Sequence, residues 1–301
     1  MSRTQSLIGL TTEGEKDKLA VSDGVVQRLN DTTRRWRFVI RMEDSVDHAL
    51  RNFFRFEEVM LSSAVRLWHF PDPASAGHLK DNSRAIALAF GNCCATAFAL
   101  QEFFSTRRLG GEFSECLDAI QAVTVEASGE EEFHIKCAHA LRNVMQHLYC
   151  PIAEIGYQVH EGGDGSNRYA FIPKLRLGTL EEATEQAHRG TAATLRSLIE
   201  QHGGEHAIEL WPFVYYHMKH LVRCVHVFRE AAQLFFEETD RQLGEEAPDL
   251  NALSHINVPD RRYPMQSLPL PCAEAHREVS SARLPHFPDQ CDPLFSLTSV
   301  R

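Results

Sequence analysis

The chain has 301 residues, 43% of them hydrophobic, which is enough for one large helical domain or two small ones with an ordinary globular core. The 31 Lys and Arg residues are outnumbered by 41 Asp and Glu, and the formal net charge is −10. This balance argues against a protein that coats nucleic acid through bulk charge, although it allows a locally basic site.

The cysteine pattern and the absence of a long apolar run favour a cytoplasmic protein. The eight cysteines form no C-x-x-C pair and fall mostly within helical patterns, as expected for free, buried thiols in a reducing compartment. The opening MSRTQSLIGL has no sustained apolar region, so no secretory signal is expected. The longest apolar run, 85–100, is interrupted by Gly91 and Asn92 and is short for a bilayer span, which favours a buried core helix and no membrane partner.

The sequence of the first half of the chain predicts successive helices. Residues 1–20 are polar and expected to be loose. A helical run follows from about Ser22 to Trp68, with a break near Asp31. Its apolar side chains recur at three- and four-residue steps: Phe38, Met42, Val46, Ala49, Leu50, Phe53 and Phe56. The loop at 71–77 precedes further predicted helices, which cover about 81–105, 112–126 and 130–149.

The second half begins at Pro151, which must end the preceding helix. Two β-prone runs, GYQVH and RYAFI, flank EGGDGSN and predict one small hairpin. Helices are expected at about 179–202 and 212–243. Eight of the 13 prolines lie after Glu245, so 245–301 is predicted to be an extended tail. The expected division is a loose 1–20, a helical bundle at 21–150, the hairpin with two packed helices at 151–244, and the tail.

The helix at about 130–149 has an unusual polar face. On an ideal helix an apolar arc collects Cys137, Ala138, Ala140, Leu141, Val144, Met145 and Leu148. The opposite arc collects His139, Arg142, Asn143, Gln146 and His147. It holds two histidines, an arginine and two amides but no carboxylate, whereas a merely solvated face normally mixes Glu and Lys.

These residue types suit the cleavage of RNA without a metal. A neutral histidine such as His147 can accept the proton of the 2′-hydroxyl group. The guanidinium of Arg142 stays charged and matches phosphoryl oxygens, where negative charge grows in the transition state. Asn143 could orient the imidazole or bind the phosphate. No cofactor is expected.

The neighbourhood of this helix is more basic than the rest of the chain. Between Phe133 and Arg176 there are five Lys or Arg residues and three Asp or Glu. Lys136, Arg168, Lys174 and Arg176 could therefore line a path for an RNA backbone, and His139 and Gln146 could also contact the substrate. The alternative is an ordinary local fluctuation in charge.

The order Leu141-Arg142-Asn143-Val-Met-Gln-His147 resembles the R-x(4–6)-H signature of HEPN domains, in which a polar residue follows the arginine. Such domains are small helical bundles, and many are metal-independent ribonucleases of toxin and phage-defence systems. The resemblance covers about residues 35–150 and implies an all-α, HEPN-like bundle with added C-terminal helices. Its catalytic residues would be Arg142, Asn143 and His147.

The resemblance also implies partners. The motif helices of two HEPN subunits face each other, and Arg142 and His147 lie about 140° apart on one straight helix, so a homodimer is expected. Arg-x4-His-x-Tyr is the form found in toxins paired with a nucleotidyltransferase antitoxin. The resemblance therefore implies that Tyr149 is a modification site and that an antitoxin or regulatory protein is a partner. The alternative for Tyr149 is an aromatic side chain packed at the helix end.

Two other interpretations remain open. Glu131-x-x-His134 and Glu185-x-x-His188 match an element of di-iron bundles, and His217 with His220 could share a metal, although ordinary hydrogen bonds explain such histidines as well. In the other interpretation the chain is a non-catalytic helical dimerisation or interaction module, in which the arginine and histidines form a structural network.

Overall fold

The computed structural model describes the chain at residues 4–11, 16–69, 76–127, 129–147, 152–161, 167–260, 263–281, 283–287 and 296–299. Within these ranges the chain is mostly helical, with two small antiparallel sheets. The helices are α1 (Asp23–His69), α2 (Ala76–Gln101), α3 (Thr106–Glu112), α4 (Leu117–Glu126), α5 (Glu130–His147), α6 (Leu177–Gln186), α7 (Arg189–Gln201), α8 (Trp211–Glu246) and α9 (Cys272–Val279). The strands are β1 (Thr4–Thr11), β2 (Lys16–Ser22), β3 (Ile152–Glu161), β4 (Asn167–Arg176), β5 (Ala207–Glu209), β6 (Leu253–Asp260), β7 (Tyr263–Pro269) and β8 (Ser296–Ser299).

The chain divides into two compact units, each assembled from separated segments. The first unit contains Met1–Val46, Glu102–Val123 and Arg223–Pro285. Its sheet has the strand order β2-β1-β6-β7, with Ile8 of β1 opposite Asn257 of β6. Rings of Phe38, Phe113 and Phe228 meet in its core at centroid distances of 5.1 to 5.8 Å. These aromatic contacts bury large apolar surfaces and hold the helical segments of the first unit together.

The first unit also contains a buried ion pair. Arg229 donates to both carboxylate oxygens of Glu43, at 2.9 Å from Nε and 2.6 Å from Nη2, and the two side chains are only 12% and 8% exposed. The hydroxyl of Ser280 lies 3.2 Å from the same carboxylate. A buried carboxylate is tolerated here because a bidentate guanidinium accompanies it.

The second unit contains Asp47–Gln101, Thr124–Val222 and His286–Arg301. Its sheet has the order β3-β4-β5, with β8 paired to β4. Phe56 of α1 packs against Phe90 of α2 at 5.9 Å and stacks on Trp211 of α8 at 6.0 Å. All three side chains are at most 2% exposed, so they form part of the core of the second unit.

Several predicted elements are confirmed. The chain is mostly helical, α5 occupies Glu130–His147 of the predicted helix at 130–149, and GYQVH and RYAFI pair as the antiparallel hairpin of β3 and β4. The predicted helix at 179–202 is instead two helices, because Ala187 is extended and His188 caps α7.

The predictions for the two ends of the chain differ from the structure. Residues 1–20, expected to be loose, contribute β1 and β2, and the tail at 245–301, expected to be extended, forms the β6–β7 hairpin, α9 and β8. The two ends stabilise each other, since β1 pairs with β6. Backbone pairing across such a separation has no signature in local periodicity, and the prolines of β6 and β7 bias the sequence pattern against strands.

One stretch in the described ranges, Asn82–Phe104, is long and apolar enough to cross a membrane, with a mean hydropathy of 1.3. Ile86, Phe90, Cys93, Ala97 and Leu100 of this stretch are buried against the rest of the protein. In all, 44% of this apolar stretch is buried inside the protein.

Candidate functional site

α5 is placed by its ends and by its apolar arc. Glu130, Glu131 and Glu132 occupy its first turn, where carboxylates interact favourably with the positive end of the helix dipole. Of the predicted apolar arc, the residues Cys137, Ala138, Ala140, Leu141 and Val144 are at most 3% exposed. α2 crosses α5 closely at Gly91, where an added Cβ would lie 2.9 Å from the terminal methyl of Met145. The polar arc is thereby held beside α2, α7 and α8.

Arg142 and Asn143 form the centre of the candidate site. Nη1 of Arg142 donates to Oδ1 of Asn143 at 2.9 Å, and Nδ2 of Asn143 donates to Oγ1 of Thr191 in α7 at 3.2 Å. The guanidinium carbon lies 4.4 Å from the centroid of the Phe98 ring of α2, a cation–π contact. Both side chains of the pair are partly exposed. Arg142 is therefore held in a defined orientation while remaining partly accessible to solvent.

Nε of Arg142 is the exception to this set of contacts. The atom is buried and has no hydrogen-bond partner among the described residues. A buried guanidinium nitrogen without a partner loses its hydration without compensation. The orientation of the side chain is therefore determined by Asn143 and Phe98.

His139 lies deeper on the same helix face. Its Nε2 and that of His217 in α8 both contact Oε1 of Gln101 in α2, the second at 2.9 Å. An amide oxygen only accepts hydrogen bonds, so each ring nitrogen that faces it carries a hydrogen. The His139 ring also packs edge-on against Phe98 at 5.3 Å. Phe98 thus contacts both Arg142 and His139.

Burial keeps these histidines neutral. It lowers the pKa of His139 to about 4, and the positive charge of Arg142 adds to the effect. Burial also holds the pKa of His217 well below its ordinary value, assisted by the neighbouring His139 and His220. An uncharged pair can share one amide oxygen without repulsion between two imidazolium groups. His139, which the sequence makes a candidate phosphate contact, has its Nε2 directed at Gln101.

The ring nitrogens of His139 and His217 lie 3.3 Å apart, a separation that two ligands of a tetrahedral ion also adopt. Both nitrogens carry hydrogens toward Gln101, and the guanidinium of Arg142 is close enough to lower the pKa of His139. Across the described residues, no group of three His, Cys, Asp or Glu side chains is arranged to hold a metal ion. The geometry therefore fits two ring N–H groups that both donate to the side-chain oxygen of Gln101.

The histidines of the two Glu-x-x-His pairs have local partners. Nδ1 of His134 bonds the backbone oxygen of Glu130 at 2.7 Å, and its ring packs against Phe213 and Tyr216. His188 caps α7, where its Nδ1 accepts the backbone N–H of Gly190 at 3.4 Å. These contacts account for both histidines by ordinary hydrogen bonding.

Among the remaining sequence-predicted residues, Lys136, Gln146 and Lys174 have side chains within the described part of the structure. Lys136 is exposed and paired with Glu132 at 2.6 Å, and Gln146 is exposed. Lys174 is half-buried on β4. Arg168 lies on β4 and His147 is the last residue of α5, but the side chains of both lie outside the described part of the structure, as does Tyr149 entirely.

Four residues of the site come from other helices and were not identified from the sequence as part of it: Phe98, Gln101, Thr191 and His217. A partial signal exists, since Phe98 and Gln101 are three residues apart and share a face of α2. The sequence had marked His217 only as a residue that could share a metal with His220. Searches of protein-family models, curated proteins and solved structures return no match to this chain.

Proposed function

We propose that the protein is a metal-independent endoribonuclease of the HEPN type, with Arg142 and His147 as its catalytic residues. The observation that carries the proposal is the state of Arg142: a partly exposed guanidinium held by Asn143 and Phe98, one and a half turns from a histidine at the end of the same helix. A fixed guanidinium stabilises charge that develops on a phosphoryl oxygen without reorganising during the reaction.

In the proposed reaction His147 removes the proton of the 2′-hydroxyl group, and the 2′-oxygen attacks the adjacent phosphorus. The bond to the 5′-oxygen breaks, and that oxygen takes a proton from water, which leaves a 2′,3′-cyclic phosphate and a 5′-hydroxyl end. Arg142 binds the non-bridging oxygens as their charge grows. Because the oxygen of Asn143 accepts from Arg142, Asn143 acts here by orienting the guanidinium rather than the imidazole.

The proposed active unit is a homodimer in the cytoplasm, with RNA as substrate and an antitoxin or regulatory protein as a further partner. Two motif helices facing each other would place Arg142 of one copy near His147 of the other, which one straight helix does not achieve by itself. A toxin or phage-defence role follows from the same resemblance.

The test is cleavage of a fluorogenic single-stranded RNA of mixed sequence by purified wild type, Arg142→Ala and His147→Ala. We expect either variant to lose at least about a hundred-fold in rate, as removal of a transition-state donor or a general base usually does. Arg55→Ala and His48→Ala are matched controls, because both residues are exposed on α1. EDTA should leave the rate unchanged, and the products should carry cyclic phosphate. Wild-type rates in His147→Ala would refute the assignment.

A second candidate function, a non-catalytic interaction module, is favoured by one observation. His139 and His217 are neutral and share the oxygen of Gln101, and His139 also packs against Phe98, as expected for a network that holds helices together. If wild type forms dimers in light scattering but cleaves no RNA, and Gln101→Leu lowers the unfolding free energy and the dimer fraction together, this function replaces the first.

A further inference from the structure

The Asn143 amide is held between two different partners, one at each end. Its oxygen accepts from Arg142 Nη1 at 2.9 Å, and its nitrogen donates to Thr191 Oγ1 at 3.2 Å. The guanidinium can only donate, so it decides which end of the amide faces it. A second hydrogen bond is needed to fix the position of the amide group. Among the described side chains, Thr191 provides it.

We propose that Thr191 is a positioning residue for Arg142, acting through Asn143, an inference that rests on the proposed ribonuclease function. Thr191 touches neither the guanidinium nor, in this proposal, the RNA. Its hydroxyl restrains the Asn143 side chain in the rotamer whose oxygen meets Arg142. Without that restraint the amide can rotate away, and the guanidinium keeps only the Phe98 ring as a contact.

The hydroxyl of Thr191 is itself well placed to act as a fixed acceptor. Thr191 lies in the first turn of α7, directly after Gly190, whose N–H is capped by His188. α7 is anchored by Ala192, Leu195 and Leu198, which are at most 5% exposed, and Leu195 and Leu198 lie on the same face of the helix as Thr191.

The expected effect falls on the chemical step. Arg142 interacts most strongly with charge that appears only in the transition state, so imprecise placement should lower kcat while KM changes little. Loss of one hydrogen bond of ordinary strength corresponds to roughly a five-fold decrease in kcat. Thr191→Val removes the hydroxyl at nearly constant shape, and Thr191→Ser keeps it.

The experiment measures kcat and KM on the fluorogenic RNA for Thr191→Val, Thr191→Ser, Asn143→Ala and the double variant Asn143→Ala/Thr191→Val. We expect Thr191→Val to lose about five-fold in kcat, Thr191→Ser to stay within about two-fold of wild type, and Thr191→Val to have no further effect once Asn143 is alanine. Thr194→Val, one turn later on α7, is the matched control. Thermal unfolding checks that each variant is folded, and Thr191→Ala replaces Thr191→Val if the latter is not.

The outcomes separate the inference from the function on which it rests. If Arg142→Ala cleaves at the wild-type rate, the ribonuclease proposal fails. If Arg142→Ala is inactive but folded Thr191→Val matches wild type, or Thr191→Ser is as impaired as Thr191→Val, the positioning role alone fails. The positioning role is also overturned if Thr191→Val lowers kcat by the same factor in the wild-type and Asn143→Ala backgrounds, because Thr191 would then act independently of Asn143.

Discussion

Lowering the pH should destabilise the chain through His139, and the size of the effect can be worked out. The folded pKa of His139 is about 4, against an ordinary value of 6.5. Below pH 6.5 the unfolded chain therefore binds a proton that the folded chain does not. The contribution of neutral His139 to the free energy of unfolding is fully present above the pKa of the unfolded chain. It is lost as the pH falls from 6.5 toward 4. By about pH 5 the loss is about 2 kcal/mol for this residue.

The assay is urea unfolding of wild type and His139→Gln at several pH values between about 7.5 and about 5. His276 in the first unit also has a pKa lowered to about 4 by burial, so wild type alone cannot isolate His139. The difference in unfolding free energy between wild type and His139→Gln should shrink by about 2 kcal/mol across this range. The same substitution at the exposed His48 controls for replacing a histidine. A difference that does not change with pH would refute the buried, neutral state of His139.

Three further predictions concern stability and reactivity. Asp240 accepts hydrogen bonds from the backbone N–H groups of Cys272 and Ala273 at 2.9 and 2.7 Å and so caps α9. Asp240→Ala should lower the free energy of unfolding in urea by about 1–2 kcal/mol, and Asp240→Asn should lower it less. Equal losses in the two variants would argue against a charged cap. Glu43→Ala should lower the free energy of unfolding by about 3–5 kcal/mol because it leaves Arg229 buried without its carboxylate. The double variant Glu43→Leu/Arg229→Met should recover much of that loss. If it recovers none, the ion pair contributes net stability. Six buried thiols should resist a thiol-modifying reagent until the chain is unfolded, since burial raises the pKa of each, and rapid labelling of any of them by mass spectrometry would contradict this. They are Cys93, Cys94, Cys116, Cys137, Cys224 and Cys272.

The sequence determined those features that depend on neighbouring residues. The 3.6-residue period identified the buried arc of α5, and Pro151 indicated where the helix must stop. The Gly- and Asp-rich segment between GYQVH and RYAFI identified the β3–β4 hairpin. Each of these follows from backbone geometry over a few residues, which is why no knowledge of the fold was needed.

The tertiary structure decided what faces those elements. The pairing of β1 with β6 joins the two ends of the chain, so neither segment shows on its own that it is a strand. The sequence predicted the polar arc of α5. It did not predict that His139 contacts Gln101 and His217, or that Arg142 stays partly exposed over Phe98. Periodicity determines which side chains share a helix face, whereas their pKa values, partners and accessibility depend on helices far away in sequence, here α2, α7 and α8.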